Sequence, residues 1–142
     1  MFKKILVATD ASEYSKRALK TALEIARTFN AEIELLFVTY LKEVYWGYNV
    51  AYNILVPQEQ LDEAGELALN ATLEGIDLGE VPLKKKQEQG YPASVILEEI
   101  EKENIDLVVM GSHGYGPIAG SVLGSVSQRV VQRAECPVMI VK

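Results

Sequence analysis

The sequence has few basic residues, a single cysteine and no long apolar run. Its 14 lysines and arginines stand against 20 aspartates and glutamates, so the formal net charge is −6 at pH 7. Because a nucleic-acid-binding surface needs concentrated positive charge, this balance argues against a nucleic-acid partner. The one basic run, Lys84-Lys85-Lys86, is short and is interpreted as a solvated strand edge.

The cysteine count and the apolar runs also limit where the protein resides. Cys136 has no partner for a disulfide within the chain, which fits a reducing cytoplasm. No stretch approaches the length of a membrane-spanning helix, and the first apolar segment stops at Asp10, too early for a signal peptide. We therefore expect a cytoplasmic protein with no membrane contact. Cys136 itself precedes a proline and is interpreted as a small buried hydrophobic residue rather than a nucleophile.

Five short segments have the composition of strands. Four of them are rich in Val, Ile and Leu with little alternation, which is typical of parallel strands covered on both faces. They are residues 5–8, 33–38, 107–110 and 138–141. The fifth, residues 83–88, alternates with lysines and predicts an edge strand, where charge discourages further pairing.

Four segments of helical period lie between these strands. Ser12 is the predicted N-cap of the first, after which apolar residues recur at spacings of three and four. Pro57 and Pro92 predict the starts of the second and third helices, and Pro137 follows the end of the fourth. The inner face of the second helix is predicted to carry Leu61, Ala64, Ala68 and Ala71.

Strand and helix thus alternate strictly along the chain. Right-handed crossovers turn such a series into a doubly wound, open parallel five-stranded sheet with four helices, a Rossmann-like α/β fold, here in one domain over residues 1–142. Ligands of this architecture bind beyond the carboxyl ends of the strands. We therefore expect a site in the loops after Ala8, Val38 and Met110.

The loop after Met110 is rich in glycine, because five of the ten glycines of the chain lie within residues 111–125. Glycine lets backbone N–H groups turn toward an anion and lets a phosphate approach without meeting a β-carbon. The following helix start adds unpaired N–H groups, with the hydroxyls of Ser125 and Ser127 beside them. These features predict a phosphate-binding loop. The alternative is that the glycines only form a tight connection between strand and helix, but such a turn needs only one or two glycines.

Two common phosphate loops do not fit this sequence. A Walker A loop needs a lysine, and the loop has none. A dinucleotide fingerprint should follow the first strand, where this chain has Thr9-Asp10-Ala11-Ser12 instead.

The glycine spacing instead carries a resemblance to a known family. The pattern Gly-x2-Gly-x9-Gly-Ser/Thr is matched by Gly111, Gly114, Gly124 and Ser125. The chain thereby resembles the ATP-binding branch of the universal stress protein family, which has this signature. Residues 5–13 also look like the start of that family, and residues 136–141 look like its last strand. The mild departures are Ala8, Thr9 and Ala11.

The resemblance implies an adenine nucleotide alpha hydrolase-like sheet with strand order 3-2-1-4-5. It implies ATP as the ligand, with Mg²⁺ or Mn²⁺ carried by the phosphates. The backbone at Ala8 and Val38 would frame the adenine. Asp10 would lie near the ribose or a phosphate-bound metal, and Thr9, which precedes it, belongs to the same implied site. A simple capping role for Asp10 is the alternative. The residues implied to hold ribose and phosphates are Gly111, Ser112, His113, Gly114, Tyr115, Gly116, Pro117, Gly124, Ser125, Val126 and Ser127.

Three other features of the sequence bear on function. His113, the only histidine, is interpreted as a loop or phosphate contact rather than a catalytic group. No spacing of His, Cys or carboxylate residues is typical of a metal site, so any metal is expected to arrive with the nucleotide. Residues 40–52 hold four of the seven tyrosines and the only tryptophan, which predicts either a lid over the sheet or a surface for a protein partner.

The last strand, residues 138–141, carries no charge. In the strand order that the resemblance implies it is an edge, and a bare apolar edge invites aggregation. Pairing with its copy across a two-fold axis would cover it. We therefore expect a homodimer through the C-terminal strand.

Three functions are compatible with these features. The first is an ATP-binding regulator of the stress response, in which the nucleotide orders the loop for a partner and hydrolysis is weak or partner-dependent at most. The second is a slow ATPase or phosphotransferase, which the absence of a loop lysine disfavours, since the nearest arginine in sequence is Arg129. The third is the branch of the family that does not bind ATP, which the intact motif disfavours. We expect the first.

Overall fold

The computed structural model describes residues 1–40, 57–114 and 123–142. Its elements, in chain order, are β1 (Lys4–Thr9), α1 (Glu13–Phe29), β2 (Glu32–Tyr40), α2 (Gln58–Leu73), β3 (Leu83–Gly90), α3 (Pro92–Lys102), β4 (Leu107–Gly111), α4 (Ser125–Arg133) and β5 (Val138–Val141). All strand pairs are parallel, and the order is β3-β2-β1-β4-β5. The predicted doubly wound sheet, its strand order and the four helices between the strands are confirmed.

The central strand β1 shows why its sequence is apolar without alternation. Ile5 pairs with Ile33 of β2 on one side and with Leu107 of β4 on the other. Ile5, Leu6 and Val7 are all completely buried, so successive side chains enter two different cores. Burial of each such side chain contributes about 2 kcal/mol. A strand in this position has no face on which a polar residue is favoured.

The two cores lie on opposite faces of the sheet. Helices α1 and α2 cover the face to which Val7 and Leu35 belong, with Leu19 and Leu69 packed among them. Helices α3 and α4 cover the other face, where Leu6 and Leu36 belong. Cys136 packs half-buried at the margin of this second core, and burial raises the pKa of its thiol, as suits a packing residue better than a nucleophile.

The buried face of α2 differs from the predicted one. Ala64 and Ala71 are exposed, whereas Gly65, Leu69 and Thr72 are buried. Gly65 lies against the side-chain amide of Gln87 on β3, where a β-carbon would overlap it. The prediction was wrong because alanine is compatible with either side of a helix, while the small residues that pack closely here, glycine and threonine, are not hydrophobic.

The edges of the sheet also correspond to expectation. Strand β3 is an edge strand in which Lys85 pairs with Glu66 of α2, and β5 is the other edge, where Met139 is 39% exposed. Among the residues that the structure describes, no helix combines the length and the apolarity needed to cross a bilayer.

Candidate functional site

A cleft of about 230 Å³ lies at the carboxyl ends of β1, β2 and β4. Strands β1 and β4 are neighbours, although they are not consecutive in the chain, so the direction of the crossovers reverses between them. Ligands of doubly wound sheets bind at this position. The cleft is lined by Ala8, Thr9, Asp10, Leu36, Val38, Pro92, Ile96, Met110, Gly111, His113, Gly114, Gly124, Ser125, Val126 and Ser127.

Almost every predicted site residue that the structure describes lines this one cleft. The exception is Ser112, which is buried behind the loop with 3% of its surface exposed. Tyr115, Gly116 and Pro117 lie outside the described residues. Residues that the sequence predicted to share a site thus line one cleft, although some are more than 100 positions apart. Their role in binding stays a prediction.

Four apolar residues of the cleft were missed. Leu36, Pro92, Ile96 and Met110 form its wall on the side of α3. A signal existed for two of them, because Leu36 precedes Val38 by two positions and so shares its side of the strand, and Met110 is the last residue of β4 before the first glycine of the motif. Nothing in the sequence indicated that the start of α3 would reach the cleft.

Asp10 has one oxygen committed to the start of α1. Its Oδ1 accepts hydrogen bonds from the Ser12 backbone N–H at 2.9 Å and from the Ser15 hydroxyl at 2.8 Å. Ser12 caps the helix itself, as predicted, since its Oγ accepts from the Ser15 N–H at 3.2 Å. Through its Oδ1, Asp10 thus holds the capping residue Ser12 and the Ser15 side chain, while its Oδ2 is directed toward Gly114.

The surroundings of the three motif glycines differ, and so does the effect that a β-carbon would have at each. A β-carbon on Gly114 would overlap Oδ2 of Asp10. A β-carbon on Gly111 would lie 2.6 Å from Cβ of Tyr14 and 2.9 Å from its carbonyl carbon, so this glycine lets α1 pack against the end of β4. At Gly124 the nearest atoms would be 3.4 Å away, an ordinary contact. Close approach of a phosphate is therefore not needed to explain the first two.

The carbonyl of Ser112 fastens the two ends of the glycine loop to each other. It accepts from the Gly124 N–H at 2.7 Å and from the Ser127 hydroxyl at 3.0 Å. The Ser112 N–H donates in turn to the carbonyl of Val141 at 2.9 Å, which ties the loop to β5. The Ser127 hydroxyl was predicted as a donor to a ligand, but its proton is engaged with backbone carbonyls here.

The first turn of α4 opens onto the cleft without a side-chain cap. Its N-cap is Gly124, and the first backbone bond of the helix runs from the Gln128 N–H to the Gly124 carbonyl at 3.0 Å. Within the described ranges, no acceptor receives the N–H groups of Ser125, Val126 and Ser127, and all three residues line the cleft. Unpaired N–H groups at the positive end of a helix dipole favour an anion.

His113 packs within the loop. Its Nδ1 lies 3.1 Å from the Ser112 hydroxyl, and its ring is 5.6 Å from the ring of Tyr14. Arg17 lies over the same tyrosine ring, 4.7 Å from the ring centre. His113 also lines the cleft, so a packing role and a contact with a phosphate both stay predictions.

A second charged cluster lies away from the cleft, between β2, β3 and α3. Carboxylate oxygens of Glu34, Glu99 and Glu103 lie within 4.8 Å of one another. The Lys86 ammonium donates to Glu99 at 2.5 Å and to Glu103 at 3.4 Å, and lies 3.9 Å from Glu34. Sequence spacing gave no hint of this cluster, because Glu34 and Glu99 are far apart in the chain. Lys86 supplies the positive charge that a metal ion would otherwise supply.

Burial and charge shift the titration of this cluster. Burial raises the pKa of Glu34, the neighbouring Glu99 raises it further, and Lys86 opposes both. Its Oε2 has no hydrogen-bond partner among the described residues. For Lys86, burial acts to lower the pKa, but the hydrogen bond and charge of Glu99 outweigh it and the pKa is raised. The pKa of Glu103 is lowered by its hydrogen bond with Lys86.

Comparison with known proteins agrees with this architecture. The model of the universal stress protein family matches residues 1–142. A universal stress protein of Methanocaldococcus jannaschii is 34% identical over 142 residues, which are 100% of this chain and 83% of the relative. The solved structure of hypothetical protein MJ0577 superposes with a TM-score of 0.82 at 29% identity, covering 100% of this chain and 96% of that one. A universal stress protein in complex with cAMP superposes with a TM-score of 0.68 at 26% identity, covering 99% and 96%. The chain belongs to the universal stress protein family.

Proposed function

We propose that this protein binds ATP in the cleft and acts as a nucleotide-dependent regulator in the stress response. The observation that carries the proposal is the first turn of α4, whose first three residues line the cleft and whose N–H groups have no acceptor among the described residues. A helix start of this kind stabilises a phosphate through its donors and its dipole. The related structure with bound cAMP supports an adenine nucleotide as the ligand class.

The cleft offers different chemistry at its two ends. The apolar wall of Leu36, Val38, Ile96 and Met110 suits a planar base, which gains by leaving water. Oδ2 of Asp10 accepts hydrogen bonds and suits ribose hydroxyls or a phosphate-bound cation. The α4 start and the glycine loop take the phosphates, so that Mg²⁺ or Mn²⁺ comes with the nucleotide and is held mainly by it.

A catalytic function has less support. Phosphoryl transfer needs neutralisation of the γ-phosphate by cationic side chains and metal, together with a group that positions the nucleophile. The described lining of the cleft contains neither lysine nor arginine. Any hydrolysis of ATP by the isolated protein is therefore slow, and an ATPase or phosphotransferase remains the second candidate.

The experiment is calorimetric titration of nucleotide-stripped protein with Mg-ATP, Mg-AMP, cAMP and adenosine. We expect Mg-ATP to bind more tightly than adenosine. If Mg-ATP does not bind, the proposal is wrong. If ATP and adenosine bind equally, the phosphates make no contribution and the α4 start is not their site.

A matched pair of variants isolates the helix N–H groups. Ser125→Pro removes one N–H at the first position of α4, where proline is compatible with the helix. The preceding Gly124 already has the extended conformation that a following proline requires, with φ −69° and ψ 165°. Ser125→Ala removes only the hydroxyl. Weaker ATP binding by the proline variant alone, with adenosine binding unchanged, would identify the N–H as the donor.

Two further parts of the proposal concern partners. The outer edge of β5, which pairs with no strand of the described residues and leaves Met139 exposed, pairs with the same strand of a second copy to give a homodimer. The aromatic segment of residues 40–52 serves as a lid or a partner surface. Of that segment only Tyr40 lies within the described residues, where it is exposed and meets the ring of Tyr91 edge-on at 5.7 Å. A cytoplasmic location completes the proposal.

A further inference from the structure

A directed chain of hydrogen bonds joins the loop after β1 to α2. The Ala11 N–H donates to Oγ1 of Thr9 at 2.9 Å, and Oγ1 of Thr9 lies 2.7 Å from Oγ1 of Thr72. The Thr72 hydroxyl donates to the carbonyl of Ala68 at 2.8 Å. Because that bond uses the only hydroxyl proton of Thr72, the Thr9 hydroxyl must donate to Thr72. The donor and the acceptor of each hydrogen bond in the chain are therefore defined.

The two threonine hydroxyls of the chain belong to buried residues. Thr9 is 7% exposed and Thr72 is 1% exposed. A buried donor that loses its acceptor cannot turn to solvent, so removal of the Thr72 hydroxyl would leave the Thr9 hydroxyl to find another acceptor or stay unpaired. Rotation of Thr9 to reach one would withdraw the oxygen that receives the Ala11 N–H.

The backbone that this chain holds is strained. Ala11 has a φ of 68°, a left-handed conformation that costs a residue with a β-carbon on the order of 1 kcal/mol. Such a conformation persists where surrounding contacts determine it. Asp10 lies between Thr9 and Ala11, so the hydrogen bonds fix the backbone on both sides of the carboxylate that enters the cleft.

We propose that Thr72 is a positioning residue of the nucleotide site, acting through Thr9 and Ala11 on the orientation of Asp10. The proposal rests on the proposed function of the cleft. No residue of α2 lines the described part of the cleft, yet this chain makes the packing of α2 a determinant of ligand affinity. The helix thereby gains an influence on the site without contact to the ligand.

The first experiment compares Thr72→Val, which keeps the shape and removes the hydroxyl, with Thr72→Ser, which keeps the hydroxyl. We expect Thr72→Val to lower the affinity for Mg-ATP about tenfold and Thr72→Ser to stay within about threefold, on the scale of one lost hydrogen bond. Thermal unfolding of both variants shows that the proteins titrated are folded. Equal affinity of folded Thr72→Val and the wild type would overturn the proposal.

Two backgrounds separate positioning from a general loss of stability. In Asp10→Ala, Thr72→Val should cause no further loss of affinity, because the group it positions is absent. In Ala11→Gly, the loss should shrink, since glycine adopts this backbone without strain. A loss of affinity that persists unchanged in Asp10→Ala would show that the effect does not pass through Asp10, and the proposal would fail.

One measurement needs no nucleotide. Amide hydrogen exchange at Ala11 in the ligand-free protein should be about tenfold faster in Thr72→Val than in Thr72→Ser, because the N–H loses its fixed acceptor. Unchanged exchange would overturn the hydrogen-bond chain itself. Faster exchange without any binding of Mg-ATP by the wild type would instead refute the proposed function and leave the chain standing as a structural device.

Discussion

Oδ2 of Asp10 occupies the space that a β-carbon on Gly114 would fill. The two residues belong to the loops after β1 and β4, which are neighbours at the centre of the sheet. Both residues line the cleft, with a carboxylate on one side and bare backbone on the other. Any larger residue at position 114 would therefore have to displace the Asp10 carboxylate, before any ligand arrives.

Replacement of Gly114 by alanine should displace the Asp10 carboxylate. We expect the affinity for Mg-ATP to fall at least about tenfold and the free energy of unfolding to fall by about 1–2 kcal/mol, because the new methyl group overpacks the contact. Denaturant unfolding measures the second effect. In the Asp10→Ala background the methyl group has room, so the cost in stability should disappear; an undiminished cost would show that the contact is not its cause.

Replacement of Gly111 by alanine should act on the fold rather than on the ligand. The new β-carbon would meet both the side chain and the backbone of Tyr14, and backbone does not yield easily. We expect a loss of about 1–3 kcal/mol in the free energy of unfolding. Gly124→Ala is the matched control, since its β-carbon finds only ordinary contacts and should cost less than about 0.5 kcal/mol. Equal losses in the two variants would contradict the packing account.

Glu34→Gln should make the protein more stable at neutral pH. The pKa of Glu34 is raised in the folded state, mainly by burial, so its charged form is disfavoured there. Its contribution to stability is complete below the unfolded pKa and is lost as the pH rises through the folded pKa. Thermal unfolding at neutral and at acidic pH should therefore show an advantage of the variant that shrinks on acidification.

Glu103 provides a control of opposite sign in the same cluster. Lys86 lowers the pKa of Glu103, so its contribution is present above the unfolded pKa and is lost as the pH falls through the folded pKa. Glu103→Gln should accordingly lower stability at neutral pH and approach the wild type in acid. The same pH trend in both variants would show that overall charge, not the local environment, determines the result.

Met139→Glu should disrupt the proposed dimer. A charge at this exposed position of β5 would face its copy across the two-fold axis, and like charges held close together destabilise an interface. Light scattering of the eluting protein should give a dimer mass for the wild type and a monomer mass for the variant. Leu67→Glu, at a residue of α2 that is 71% exposed, adds the same charge away from β5 and should leave the mass unchanged. A monomeric wild type would refute the dimer.

Sequence reasoning succeeded where one physical requirement determines the residue type. The completely buried Ile5, Leu6 and Val7 of β1 tolerate nothing but apolar side chains, so the strand was evident. It failed on α2, where Gly65 and Thr72 are buried through close approach and a hydroxyl contact. A pattern of hydrophobic residues predicts neither kind of packing.

The residues of the site likewise divide into those that the sequence predicted and those that it did not. The glycine spacing predicted the loop, and Asp10 was evident as a carboxylate at a strand end. The apolar wall was missed because Ile96 reaches the cleft only through the packing of α3 on the sheet. The cluster around Lys86 was missed because Glu34 and Glu99 meet only through the tertiary fold. Pairings of this kind depend on geometry that no local pattern contains.

The hydrogen bonds at the carbonyl of Ser112 have a consequence for the entropy of ligand binding. They hold Gly124 and Ser127 to the end of β4, so the start of α4 and the beginning of the loop are joined through space as well as through residues 115–122. A phosphate that bridges the two would find them already in place and would not have to close a chain segment. The donors at the start of α4 are therefore preorganised by the fold itself, so a phosphate that binds there would lose less entropy than one that must first order a loop.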